Sequence, residues 1–357
     1  MNALYEAHLP RQLYGYKRSD VKLLVFSDLS ISKSRLNDIS NYLSPGDILV
    51  FNNSKIVPSS LEIYSEDFQR FATLNIGTDR RGRQFLVEVR PKEFGSMVNY
   101  STSFSILGTG YNVNLIKRHE TFPRFWWAEL DTEESSIDLI LKDFGKYIRY
   151  DHIPFSLPDE YFDGIFYKMP GSVELPSASY SFDSKVVESI KDKGVSIAEL
   201  TLHCNLGSVE YPEFKGERRL LPEKFSIPLG TLRAIHDARS RGRKVIAVGT
   251  TVVRALESLA LDKSQQTNLV TVSSPPGSEG SITGTTEIYI DGSHTPLLVD
   301  AIITGMHEKD GSHIRMLEAF QPKERLNEAY KMAECWRFQY HEFGDIALIF
   351  SQSRKDK

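Results

Sequence analysis

The sequence predicts an α/β protein: a large domain with a mixed sheet, interrupted by a small inserted antiparallel β-barrel. Two patterns and a length carry this reading. Continuous apolar runs such as LLVFS (23–27), DILVF (47–51) and KVIAV (244–248) alternate with segments of helical spacing, as buried strands and their covering helices do. Residues 61–130 instead hold short strand-like runs split by turn residues. The chain has 357 residues, room for two domains or one large domain with an insertion. The α/β domain is therefore placed on 1–60 and 131–357, and the barrel on 61–130.

Taken in order, LLVFS reads as a strand. Leu36, Ile39 and Leu43 have helical spacing and stop at Ser44-Pro45-Gly46. DILVFNNSKIVP (47–58) reads as a buried strand running into a polar loop. The barrel segment carries FATLNIG, FLVEVRP, SFSILG, YNVNLIK and FWWAEL, with DRRGR (79–83) as a hairpin tip. Ser135 to Tyr147 is amphipathic through Ile137, Ile140, Leu141 and Phe144. Asp183 or Ser184 can cap a helix through Val186, Val187 and Ile190 that ends at Gly194. VSIAELTLHC (195–204) alternates like a strand, and Leu229, Leu232, Ile235 and Ala238 line a helix. KVIAVGTT is a strand and loop followed by the helix VVRALESLAL. SSPPGSEGSITG (273–284) reads as a loop, and TEIYI, LLVDAIIT and DIALIF as three strands. The tail SQSRKDK is expected to fray.

Composition narrows the function classes. Lys and Arg total 43 against 47 Asp and Glu, a net charge of -4, so bulk charge does not drive nucleic-acid binding. An RNA partner would need a local basic patch: DRRGR, KGERR (215–219) or RSRGRK (239–244). Basic clusters at helix ends are usually solvated faces or dipole partners. Cys204 and Cys335 are too few for a disulfide framework or a Cys-rich zinc site, and no HExxH pairing occurs. No metal is expected. The N-terminal stretch lacks the apolar core of a secretory signal, and no run approaches a membrane span. The expectation is a cytoplasmic protein without membrane contact, a monomer or weak homo-oligomer.

Three places could carry chemistry. In VIAVGTTVVRALES (245–258) a buried strand ends in Gly-Thr-Thr and a helix starts at once. Free N–H groups and two hydroxyls there suit an anion or a polar ligand group, although an ordinary capped turn has the same residues. In VFNNSKIVP (50–58), Asn52, Asn53 and Lys55 follow a strand and could read a base or ribose. In TLHCNLGS (201–208), His203 closes a strand and could move a proton near neutral pH. Glu174, Glu223, Asp300 and Asp345 sit beside strands or loops.

Together these stretches resemble the S-adenosylmethionine:tRNA ribosyltransferase-isomerase (QueA) family of queuosine biosynthesis. YLSPGDILVFNNSKIVPSSL (42–61), KMPGSVELPSASYSF (168–182), KGVSIAELTLHCNLGSVEYPEF (193–214) and GRKVIAVGTTVVRALES (242–258) carry the likeness in order. GTTEIYI (284–290), LLVDAIITGMH (297–307) and WRFQYHEFGDIALIF (336–350) complete it. The resemblance implies S-adenosylmethionine as co-substrate and ribosyl donor. It implies the aminomethyl group of a 7-deazaguanine in tRNA as acceptor, and epoxyqueuosine-tRNA, adenine and methionine as products. It places His203 and Asp345 on motif positions as catalytic candidates, with His203 the leading acid/base; Glu174, a carboxylate beside a strand, is the third catalytic candidate and falls on no motif position. Asn52, Asn53, Lys55, Thr201, Gly207, Thr250, Thr251, Arg254, Glu257, Thr286 and His307 fall on substrate-binding motif positions.

The chain also departs from the family pattern. Ser181 stands where the pattern has His, and Arg219-Leu220-Leu221-Pro222-Glu223 replaces a segment with two His. Cys204-Asn205-Leu206-Gly207-Ser208 replaces a Gly-rich turn, and Thr304 to His313 replaces a polar loop. Lys22 and Lys55 stand at Arg positions, and Lys lacks the bidentate fork. These changes fall on polar segments rather than on the scaffold. They keep two other readings open: a paralogue using S-adenosylmethionine with a non-tRNA acceptor, and a non-catalytic RNA-binding protein.

Overall fold

A computed structural model describes residues 6–132, 135–207, 220–261, 271–273, 280–307 and 312–352. Its centre is a ten-stranded mixed sheet among these residues. Four neighbouring strands, Ser196–Leu202, Ile48–Asn52, Val245–Val248 and Ala301–Gly305, run parallel. Ile346–Phe350 pairs antiparallel with the last of these, then Lys22–Phe26 joins it in parallel and Ile31–Arg35 closes that edge as a hairpin. At the other edge Glu223–Pro228, Ser281–Thr286 and Thr271–Ser273 add antiparallel strands.

The period-2 pleat explains why these strands read as unbroken apolar runs. Leu24, Phe26, Ile48, Val50, Val245 and Ala247 face one core, together with Ile235, Val252, Leu326 and Ala329 from the helices Leu229–Ser240, Thr250–Leu261 and Lys323–Cys335. Leu23, Val25, Leu49, Phe51, Ile246 and Val248 face the other, covered by Val186 and Ile190 of the helix Ser184–Asp192. Each such buried aliphatic side chain contributes roughly 1.5–3 kcal/mol. Asp183 caps the Ser184–Asp192 helix, its carboxylate accepting from the Val186 N–H at 3.0 Å.

The second sheet is a closed six-stranded antiparallel barrel, ordered Phe125–Leu130, Gln84–Arg90, Arg70–Arg81, Ser60–Ser65, Ser103–Ile106 and Asn112–Arg118. Its interior is filled by side chains including Leu74, Val87, Phe94, Phe104 and Trp126. Where the chain leaves and rejoins the large domain, the Ser60 N–H donates to the Lys146 carbonyl at 2.9 Å and Lys146 returns the bond. One barrel wall packs Leu86, Phe125 and Trp127 against Val173, Leu206 and Leu221 of the large domain.

Two readings of local structure shift. The strand expected at TEIYI lies earlier, at Ser281–Thr286, inside the stretch read as a loop. The Thr286 hydroxyl accepts from the Ile288 N–H at 3.2 Å and turns the chain out of the sheet. Ile290 is then buried by core packing, which imitates strand alternation. The segment around Leu36 and Ile39 is a 3-10 helix, Leu36–Tyr42, not an α-helix.

Candidate functional site

A cleft of about 290 Å³ opens beyond the C-terminal ends of the parallel strands, where open α/β sheets place their ligands. Gly249, Thr250 and Thr251 line it from the end of Val245–Val248. Thr304, Met306 and His307 come from the end of Ala301–Gly305, and Cys204 to Gly207 from the loop after Ser196–Leu202. Gly249 has φ +103°, and its N–H donates to the Ile303 carbonyl at 2.8 Å, so the chain turns sharply into the helix Thr250–Leu261.

Glu174 lies at the wall of this cleft. Burial is the main influence on its carboxyl, opposed by the Gly207 N–H that donates to Oε1 at 2.5 Å. The Glu88 and Glu342 charges push the same way as burial, and Arg124 opposes them. The balance pushes Glu174 up to about 8, so it carries a proton at neutral pH. Also lining the cleft, the buried Arg254 donates from Nη1 to Glu223 Oε2, while Glu223 Oε1 accepts from the Asn205 N–H at 2.9 Å. The Nε and Nη2 donors of Arg254 are buried with no hydrogen-bond partner among the described residues. A buried guanidinium half-satisfied in this way suits a carboxylate or another acceptor entering the cleft.

His307 and His313 stack with ring centroids 4.2 Å apart. Burial holds His307 well below the usual imidazole range and, with Arg254 nearby, brings His313 down to about 4. Both are neutral at pH 7. His307 Nε2 lies 2.7 Å from the Thr304 hydroxyl.

The sequence-derived candidates divide into three groups. Glu174, Gly207, Thr250, Thr251, Arg254 and His307 line the cleft together. Asn52 sits just beneath it with its amide fully used: Oδ1 accepts from the Leu202 and Ser54 N–H groups, and Nδ2 donates to the Leu202 carbonyl and to Thr251 Oγ1. Asn52 thus holds the Thr251 hydroxyl in place. Thr201 and His203 line a separate groove with Lys224 and Thr283 to Thr285. His203 Nδ1 is 2.7 Å from the Ser54 hydroxyl, and burial lowers the pKa of the ring. Asn53 accepts from the Thr201 hydroxyl at 2.7 Å, and Lys55 pairs with Asp163 at 2.6 Å.

The remaining three are anchors. Glu257 is fully buried and accepts from His294 and from the Leu297, Leu298 and Val299 N–H groups. Asp345, also fully buried, pairs with Arg11 at 2.6 Å and accepts from the Lys22 and Gln339 N–H groups. The Thr286 and Ser258 hydroxyls meet at 2.5 Å.

Tyr150, His341 and Glu342 also line the cleft and were missed. For His341 and Glu342 the signal was the His-Glu pair inside QYHEFGD, although nothing local says where that loop points, and Tyr150 carried no local signal. Of the basic stretches, DRRGR reaches the cleft wall through Asp79, whose carboxylate accepts from Asn205 Nδ2 at 2.6 Å. Arg80 and Arg81 of that tip pair with Asp138 and Glu120. RSRGRK lies at the opposite end of the Val245–Val248 strand, and KGERR lies outside the described residues. Among the described residues, no helix is long and apolar enough to cross a membrane.

A family model described as "Queuosine biosynthesis protein" matches residues 5–349. An S-adenosylmethionine:tRNA ribosyltransferase-isomerase of Halothermothrix orenii is 27% identical over 360 residues, spanning 97% of this chain and 98% of its own. One from Sulfurihydrogenibium sp. is 28% identical over 365 residues with the same coverage, and one from Thermus thermophilus 26% identical over 366. The crystal structure of the S-adenosylmethionine tRNA ribosyltransferase of Thermotoga maritima covers 98% of this chain at 24% identity, with a TM-score of 0.48. With a family match running over almost its whole length, the chain belongs to the queuosine biosynthesis protein family.

Proposed function

We propose that this chain is an S-adenosylmethionine-dependent ribosyltransferase-isomerase that modifies a 7-aminomethyl-7-deazaguanine in tRNA, with the cleft around Arg254 as its active site. The observation that carries the reading is a carboxyl held protonated at the wall of a cleft that also holds a buried guanidinium with two unused donors among the described residues. The sulfonium of S-adenosylmethionine acidifies its C5′ proton, so a positioned base can remove it. Adenine needs a proton as it leaves, and Glu174 holds one at neutral pH. Arg254 suits the carboxylate of the methionine half, and the Thr250 and Thr251 hydroxyls suit ribose or carboxylate oxygens. His307 and His313, both neutral, offer lone pairs rather than charge. No metal enters this scheme.

A second reading keeps the donor and changes the acceptor. Of the positions that depart from the family pattern, Cys204, Asn205, Leu206, Leu221 and His313 line the cleft, while Ser181, Lys22 and Lys55 do not. Apolar Leu221 in a segment where the pattern has two His favours a different acceptor. One experiment separates the readings: incubate the protein with S-adenosylmethionine, with and without tRNA carrying the deazaguanine, and follow adenine and methionine. Release only with that tRNA supports the first. S-adenosylmethionine binding with no response to the tRNA supports the second.

A further inference from the structure

We propose that His152, His341 and Glu342 form a divalent transition-metal site at the rim of the cleft. One ligand-type atom from each of the three lies within 4.8 Å of the others. Ligands of one zinc-like ion, each about 2.0–2.2 Å from it, stand roughly 3–4 Å apart, so a bound cation needs only a small inward movement. His152 Nε2 and Glu342 Oε2 already face each other at 3.0 Å. Both atoms are buried, and neither makes a hydrogen bond of acceptable geometry. Glu6 brings Oε1 to 4.0 Å from His341 Nε2.

The two imidazoles stack with centroids 4.1 Å apart and planes 15° from parallel. Two protonated rings at that spacing would repel. A cation shared by two neutral rings and a carboxylate satisfies all three groups at once. The mounting is rigid. Asp345 accepts from the Gln339 N–H, the Gly344 N–H donates to the His341 carbonyl, and the His341 N–H donates to Met306, which together hold the turn at 339–345. His341 adopts φ +75° within it. On the other side, His8 donates from Nδ1 to the His152 carbonyl at 2.9 Å. Two nitrogens with a carboxylate suit a borderline ion such as zinc or cobalt rather than calcium or magnesium. Because His341 and Glu342 line the cleft, the cation would face the space that Arg254 also faces.

The test uses the full-length protein, stripped with a chelator and titrated separately with zinc and with cobalt(II). The expected result is about one zinc per chain retained through dialysis, and a visible ligand-field absorption with cobalt. A His152→Ala/His341→Ala variant should lose both signals. Glu342→Gln, which keeps the side-chain shape, should weaken binding by at least about tenfold. A wild-type protein that retains no zinc overturns the proposal, as does a folded double variant that binds like wild type. The readout needs neither S-adenosylmethionine nor tRNA, so its outcome is independent of the function proposed above.

Discussion

A carboxyl that titrates near 8 behaves differently from its neighbours across the neutral range. Glu174 binds its proton more tightly in the folded chain than in the unfolded one, so folding is linked to proton uptake. Its contribution to stability is present below the ordinary carboxylate pKa and is lost as pH rises toward about 8. Glu174→Gln should flatten that slope, measured as denaturant midpoints at about pH 5 and about pH 8.5. On the proposed scheme the protonated form is the useful one in turnover. Wild-type adenine release should fall as pH rises through about 8. Glu174→Gln should lower kcat by about 10²-fold or more while S-adenosylmethionine still binds. Arg254 is a different case, because removing it strands Glu223 in the protein interior. Arg254→Ala should cost roughly 3 kcal/mol in chemical denaturation, and Arg254→Met with Glu223→Gln should recover part of it.

At the scale of elements, one side chain ties helix to loop. Glu257 links the helix Thr250–Leu261 to the segment leading into Ala301–Gly305 through three backbone N–H groups. Glu257→Ala leaves those donors buried and unsatisfied, and should destabilise the fold by at least about 2 kcal/mol in a thermal or urea transition. The same elements mark how far sequence alone reaches. The parallel strands were legible because burial on both faces writes an unbroken apolar run, and Gly-Thr-Thr was legible because it follows one directly. Asp183 was legible as a cap because capping is local. TEIYI misled because Ile290 is buried by packing outside the sheet. Glu174 could be named, but not its protonation, which depends on Glu88, Arg124 and Glu342, all far away in the chain. His152 and His341 meet across 189 positions, and no window holds both.

At the scale of the whole molecule, the charge of -4 leaves any tRNA contact to local patches. RSRGRK sits across the sheet from the cleft, with Arg239 donating to the Leu298 carbonyl at 2.9 Å. Reversing Arg241 and Arg243 to Glu should leave tRNA-dependent adenine release within about twofold of wild type. A larger loss, read from initial rates at matched salt, would move the RNA path to that face.

The shared packing of the barrel wall and the cleft loop gives the two units a mechanical relation. Leu206 and Leu221, which line the cleft, rest against Leu86, Phe125 and Trp127 of the barrel. The barrel joins the rest of the chain near Ser60 and Lys146, and it is tied to the cleft loop as well: Asn205 bonds to the Thr78 N–H and to Asp79, and Arg124 donates to the Gly207 carbonyl. The loop that donates the Gly207 N–H to Glu174 is therefore built against the barrel, and the charges of Glu88 and Arg124 reach Glu174 from it. The acidity at the cleft wall is a joint property of both units.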